Sequence, residues 1–174
     1  MAPIKQKDLP AYTWSDYRTW EGEWELIHGI PYSMSPSATK KHQVMLKNLV
    51  VAFDQALKNN DCHPCEIVTD LDWIIDEHTV VRPDALLSCD DRDDALYQQK
   101  TPLVVIEILS PSTRLKDLNL KKDLYAHQNV LYYLVADPEN QSYQLMSCSA
   151  QKYRSLPDYH ILKLPCGTLL LQGL

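Results

Sequence analysis

LVVIEIL, residues 103–109, is an almost unbroken apolar run interrupted by a single charge, Glu107. A run of this kind, without alternation of polar and apolar positions, reads as a strand covered on both faces in the middle of a sheet. Ser110, Pro111, Ser112 and Thr113 follow, supplying a turn and side chains suited to cap a helix, and a helical pattern then runs to about Gln128. LYYLVAD, residues 131–137, is a second apolar strand. Strand, helix and strand in this order form a βαβ unit, whose strands are parallel and joined by a right-handed crossover. The spacing predicts an α/β (α+β) fold built around this unit.

Toward the N-terminus, VVRPDALLS (80–88) reads as another strand, in which Pro83 lacks an amide hydrogen and holds its neighbours out of the ordinary ladder. IVTDLDWII (67–75) places Ile67, Leu71, Trp73 and Ile75 on one side and Asp70 and Asp72 on the other, as in one half-exposed strand. Between residues 37 and 59, Val44, Leu46, Leu49, Val50, Phe53 and Leu57 recur mostly at spacings of three and four, which predicts the first long helix. WELIHGIPYSM (24–34) alternates around Gly29 as a hairpin, and Thr13 is placed to cap a short helix through WSDYRTW (14–20). At the other end YQLMS (143–147) and LPDYHILKL (156–164) suggest an edge hairpin.

The composition, 45% hydrophobic and 23% charged over 174 residues, excludes a disordered or fibrous chain and predicts one domain over residues 1–174 with its core at about 23–137. No apolar run approaches the roughly 20 residues of a membrane span. The first ten residues lack the apolar core of a secretion signal, so a cytoplasmic location is the simplest expectation. Five cysteines, at 62, 65, 89, 148 and 166, are an odd number and read as reduced thiols. Cys62, His63 and Cys65 invite zinc, but a structural site needs four ligands and no second pair follows. Ser110 and Ser112 lack the glycines of a nucleophile elbow and read as helix caps.

The net charge of −6 is unevenly spread. Residues 66–94 hold ten acids against Arg82 and Arg92, whereas between 110 and 122 Arg114, Lys116, Lys121 and Lys122 face only Asp117, and Lys40, Lys41 and Lys47 cluster elsewhere. Charge distribution alone does not separate solvated surface from a polyanion-binding face.

Glu107 is the most informative anomaly, because a carboxylate among Val, Ile and Leu is desolvated unless it has a partner. A buried ion pair and a metal- or substrate-facing role both satisfy it. Asp84, beside Pro83 on what reads as a neighbouring strand, brings a second carboxylate close. Two such groups repel unless a hard cation lies between them, and Mg²⁺ (or Mn²⁺) uses one or two protein carboxylates plus phosphate oxygens. On the following helix Leu118, Leu120, Leu124 and Tyr125 define a stripe centred near Lys121, so Lys121 points inward and Lys122 lies at the edge. Lys121 then snorkels, pairs with Asp117 at i,i+4, or reaches the carboxylates.

WELIHGIPYSMSPSATKKHQ, VVRPDALLSC, LVVIEILSPSTRLKDLNLKKDLY and NVLYYLVADP, in this order, resemble the Uma-two family of endonucleases, a branch of the PD-(D/E)XK nuclease superfamily, across about residues 12–150. EILSPSTRLKD followed by LKKDLY is the most specific piece. The resemblance implies a restriction-endonuclease-like core, a central mixed sheet flanked by helices, and metal-dependent hydrolysis of phosphodiester bonds in nucleic acid, DNA ahead of RNA. Asp84 matches the PD acid and Glu107 the acid of the (D/E)XK strand. The lysine expected two residues later is Leu109 here, and Lys121 matches the lysine that this family carries on the next helix. Glu25 and His42 match polar positions of the family's hairpin and first helix. His28 replaces a frequent acid and Tyr133 a frequent Trp.

On this reading Asp84, Glu107 and the Ile108 carbonyl hold Mg²⁺, Lys121 orients or deprotonates the attacking water, and Lys40, Lys41, Arg114 and Lys116 contact backbone phosphates. Lys121→Ala is expected to fold and not to cut. A homodimer follows by fold-level analogy, since duplex cleavage is simpler with two sites. The competing class is a non-catalytic nucleic-acid-binding or assembly protein that keeps the fold.

Overall fold

The computed structural model describes residues 11–34, 38–89 and 96–174. The expected helix start at Ser37 and the acidic residues Asp90, Asp91, Asp93 and Asp94 lie outside them. A four-residue helix α1 (Trp14–Tyr17) opens the described chain, its N-terminus closed by a reciprocal capping box between Thr13 and Asp16. A hairpin follows, β1 (Trp24–Ile27) and β2 (Ile30–Ser33). Its turn residues His28 and Gly29 both have positive φ, 53° and 77°, and a Cβ on Gly29 would sit 2.9 Å from the Ala11 Cα. The long helix α2 (Lys40–Asn59) is capped by Thr39 and buries Leu46, Leu49, Phe53 and Leu57.

Strands β3 (Glu66–Thr69), β6 (Ala85–Ser88), β7 (Val104–Ile108), β8 (Tyr132–Asp137), β9 (Ser142–Ser149) and β10 (Lys152–Ser155) form a six-stranded sheet in the order β10-β9-β8-β7-β6-β3. Only the pair β7 and β8 is parallel, so the sheet is mixed. A second sheet, β2-β1-β5-β4, adds β4 (Trp73–Asp76) and β5 (Thr79–Val81), and β11 (Ile161–Leu164) pairs with β12 (Gly167–Leu170) separately. β7 is central and wholly buried, as its composition requires. Ile106 packs with α2 and the β11–β12 hairpin through Leu49, Phe53 and Leu162, whereas Val105 joins Tyr125, Trp73 and Ile27 on the opposite face.

Three expectations change. The single strand over 67–75 is two strands in different sheets, broken at Asp70, whose φ of 51° is a left-handed conformation that Asp tolerates better than most residues. The expected partner of 143–147 is β10, not 156–164, and ILKL turns back on the last residues instead. Four of the five cysteines are paired, Cys62 with Cys166 and Cys65 with Cys89, which corrects the reduced-thiol reading and removes both candidate zinc thiolates. No described helix is long and apolar enough to cross a membrane.

The crossover helix begins as a π-helix, Lys116–Lys121, and continues as α3 (Lys122–His127). The wider turn aligns residues five apart. Asp117 and Lys121 are thereby buried while Leu118 and Leu120 are only half-buried, so the apolar stripe expected from a 100° repeat is displaced toward the ionic residues.

Candidate active site

β6 and β7 are antiparallel, with Ala85 opposite Ile106, so Asp84 stands opposite Glu107 one step beyond the last ladder pair. Side chains at opposed positions share a face. Both line a cavity of about 650 Å³, together with Glu25, His42, Asp117 and Lys121. Arg82 and Pro83, between β5 and β6, carry the chain from the small sheet to the large one and leave Asp84 outside the ladder. The Asp84 carboxylate is then fixed twice: Oδ2 accepts the Ile108 amide hydrogen at 2.6 Å, and Oδ1 faces His42 Nε2 at 3.2 Å. Its hydrogen bond to Asp84 holds the His42 pKa above the ordinary value, outweighing burial.

Lys121 is 2% exposed. Its Nζ lies 2.6 Å from Glu107 Oε1, 2.8 Å from Glu25 Oε1 and 3.8 Å from Asp117 Oδ1. Tyr125 donates its hydroxyl hydrogen to the same Glu107 oxygen at 2.7 Å. Lys116, one π-turn before Lys121, reaches the other Glu25 oxygen at 2.5 Å, and the Arg82 amide donates to Glu25 Oε1 at 3.0 Å. Glu25 thus bridges the two lysines.

Burial pushes Glu107 well above the usual carboxylate range, and the charges of Asp117, Asp84 and Glu25 add to it against the opposing Lys121 ammonium. Burial acts the same way on Glu25, but Lys121 and Lys116 overcome it and the net direction is down. Burial disfavours the Lys121 ammonium, yet Glu107, Glu25 and Asp117 reverse that and hold its pKa above the ordinary value. Lys121 is thus held as an ammonium among three carboxylates at the cavity wall.

The structure brings together Asp84, Glu107, Lys121, Glu25 and His42, with Ile108 on the cavity wall. Lys121→Ala would remove the ammonium shared by Glu107, Glu25 and Asp117, of which Glu25 keeps Lys116. Among the phosphate-contact candidates, Lys40 is exposed at the start of α2, Lys41 pairs with Glu139 at 2.7 Å on the surface, and Arg114 pairs with Asp137 at 2.9 Å. Lys116 belongs to the interior of the site, with its side chain 15% exposed.

Two cavity residues, Asp117 and Asp70, and Tyr125 behind Glu107 are not among the site candidates read from the sequence. Asp117 is 2% exposed and its Oδ1 has no hydrogen-bond partner among the described residues; its i,i+4 spacing to Lys121 was the available signal. Asp70 joins the cavity through the break between β3 and β4, which a continuous alternating pattern concealed. Tyr125 was assigned to the apolar stripe, with nothing in the sequence to mark its hydroxyl.

Asp84 and Glu107 are hard oxygen donors on one face of adjacent strands, which fits Mg²⁺ or Mn²⁺ bound through two carboxylates and otherwise by water and phosphate oxygens. They do not make an all-protein cage: among the described residues no three His, Cys, Asp or Glu side chains converge as a metal cluster.

Residues 14–170 match the Uma2 family, described as putative restriction endonuclease. The chain is 33% identical over 136 residues to an uncharacterized protein of Synechocystis sp., a stretch covering 74% of this chain and 70% of that protein. Its fold is similar to the crystal structure of a putative nuclease belonging to DUF820 from Anabaena variabilis, with a TM-score of 0.71 over 88% of this chain and 89% of that one, at 16% identity.

Proposed function

The chain belongs to the Uma2 family, and on that premise we propose that it is a divalent-metal-dependent endonuclease acting on nucleic acid, DNA first. The observation that carries the reading is the pairing of Asp84 with Glu107 at one cavity, with the buried ammonium of Lys121 on Glu107. Asp84, Glu107 and the Ile108 carbonyl are the groups that would hold Mg²⁺. When bound, the ion supplies Lewis-acid stabilisation of the charge developing on the phosphate.

The remaining chemistry belongs to the chain. The Ile108 amide and His42 keep the Asp84 carboxylate aimed, which limits the reorganisation needed at the moment of reaction. Lys121, held cationic, offers hydrogen bonds and positive charge to the scissile phosphate and to the attacking water. Thr39, His42 and Gln43, at the start of α2, line the cavity, and exposed Lys40 and Lys41 continue that edge. An exposed pair such as Lys41 with Glu139 is worth little by itself, so a phosphate readily replaces the carboxylate. A homodimer would present two such cavities to a duplex.

The test is incubation of the purified chain with single- and double-stranded DNA and RNA, with Mg²⁺, Mn²⁺ or EDTA. Cleavage in the presence of the ion, reduced at least about 100-fold in Asp84→Asn and in Glu107→Gln, is expected. Calorimetric titration with Mn²⁺ gives a readout apart from turnover: binding to the native chain and its loss in Asp84→Asn. Ion binding absent from the native protein, together with nucleic-acid binding without cleavage, would instead favour a non-catalytic member of the fold.

A further inference from the structure

Three of the four tryptophans surround one small cleft outside the ionic cavity. Trp14, Tyr17, Trp20, Trp24 and Tyr97 wall a cavity of about 200 Å³, with Asp72 and Arg82 in its lining. None of these rings is fully buried, and α1, which carries Trp14 and Tyr17, buries no residue at all. An aromatic core formed for stability alone would close over its rings. Here two of the four ring pairs meet edge to face, Trp14 with Tyr97 at 4.9 Å and 83° and Trp20 with Trp24 at 5.8 Å and 69°, while Trp14 stacks on Tyr17 and Tyr17 is tilted against Trp20, so the rings stand as walls around the space. Large aromatic groups left partly open mark binding surfaces.

The position of the cleft names its occupant. Arg82 lines both this cleft and the Asp84–Glu107 cavity. Trp24 and Glu25 are successive residues of β1, whose side chains point to opposite faces, the first into the cleft and the second into the ionic site. A ligand that spans the two sites carries a phosphate at one end and a flat, π-faced group at the other. The cleft also holds the Asp72–Arg82 ion pair, at 2.7 Å, beside the rings, and Arg18 lies over the Trp14 ring at 5.9 Å.

We propose that the cleft binds an unpaired nucleobase of the strand whose phosphate enters the Asp84–Glu107 cavity, which makes single-stranded or locally opened nucleic acid the preferred substrate. This deepens the nuclease reading and rests on it for the phosphate, while its test does not require cutting. Base stacking on aromatic side chains tolerates any sequence, because every base has a π face.

The experiment measures binding in EDTA by quenching of tryptophan emission, using a short mixed-sequence oligonucleotide in deoxy and ribo forms, each single-stranded and as a duplex. Quenching and at least tenfold tighter binding of a single strand than of its duplex are expected. Trp14→Ala weakens single-strand binding about 5- to 150-fold, with the duplex little changed. Trp14→Phe restores part of it, and Tyr97→Leu gives an independent loss should Trp14→Ala disturb folding. Equal affinity for single strand and duplex, or single-strand affinity within twofold of native in both Trp14→Ala and Tyr97→Leu, overturns the proposal. Cleavage that persists in such variants leaves the nuclease reading standing without the cleft. Stacking-dependent binding without cleavage under any ion leaves the cleft standing without the nuclease.

Discussion

Lys121 and Arg82 each sit between carboxylates, with a tyrosine hydroxyl completing the set. Lys121 lies between Glu107 and Glu25, and Tyr125 bonds Glu107. Arg82 lies between Glu23 and Asp72, and the Tyr17 hydroxyl reaches the Asp72 oxygens at 3.1 and 3.2 Å. The two centres even share a link, the Arg82 amide on Glu25. Burial separates them: the Lys121 side chain is 3% exposed, against 23% for Arg82 and 61% for Glu23. Water can replace Arg82 at exposed Glu23, though hardly at buried Asp72, and cannot replace Lys121 at any of its carboxylates, so similar ingredients have different energetic weight. The dry centre also keeps its cation at full electrostatic strength beside the cavity, where chemistry on a phosphate needs it.

The largest effect that separates the centres is removal of the cation. Lys121→Met, close in volume, is expected to cost about 3–5 kcal/mol, because it leaves buried Glu107 and Asp117 without their cation, while Glu25 keeps Lys116. Arg82→Met is expected to cost less, about 1–3 kcal/mol, since it frees exposed Glu23 but leaves buried Asp72 with only the Tyr17 hydroxyl. Urea unfolding followed by circular dichroism measures both, and equal losses would dissolve the distinction between the two centres. Combining Lys121→Met with Glu107→Gln sharpens it: the double variant should recover part of the loss, since one of the stranded charges is gone.

Next comes acid sensitivity. Glu25 has its pKa lowered in the folded chain, burial being outweighed by the two ammonium groups. A depressed carboxylate contributes stability that is complete above the unfolded value of about 4.3 and is lost as pH falls through the folded value. Stability should therefore decline on acidification below about pH 4.3, and the decline attributable to Glu25 should be smaller in Lys121→Met. An unchanged acid limb in that variant would mean that Lys121 does not hold Glu25 ionised.

The dry centre was the more legible of the two in sequence. A charge inside LVVIEIL, a proline that breaks a neighbouring ladder beside Asp84, and a lysine on an apolar helix face each violate a local pattern, and such violations are where function collects. Lys121 is buried, although the argument from a regular α-helical repeat located it only approximately, because the chain there is π-helical. The Arg82 centre was not legible. It depends on the division of 66–88 between two sheets, and a period-two pattern runs on unchanged through the Asp70 break. Cysteine pairing was equally hidden: Cys62 and Cys166 are 104 residues apart, and neither spacing nor parity relates them. The aromatic cleft gathers residues 14–24, 72, 82 and 97, each ordinary in its own neighbourhood.

The two hydroxyls compare the centres most cleanly, because each substitution removes one oxygen and no charge, and the smallest effect of all is expected at Tyr17. Tyr125 donates at 2.7 Å to a buried carboxylate that also holds Lys121. Tyr125→Phe should cost about 1.5–3 kcal/mol, the range for a hydrogen bond to a charged group, and should impair cleavage by loosening Glu107. At the wet centre the single Tyr17 proton is shared among the Trp24 carbonyl and both Asp72 oxygens, at 3.0–3.2 Å, with solvent at hand. Tyr17→Phe should cost only about 0.5–1 kcal/mol. It keeps the ring, so single-strand quenching of tryptophan emission should stay near native while urea stability shifts slightly. A large loss of binding from this one oxygen would mean that the cleft reads its ligand by the edge, through the Tyr17–Asp72–Arg82 set, more than by stacking.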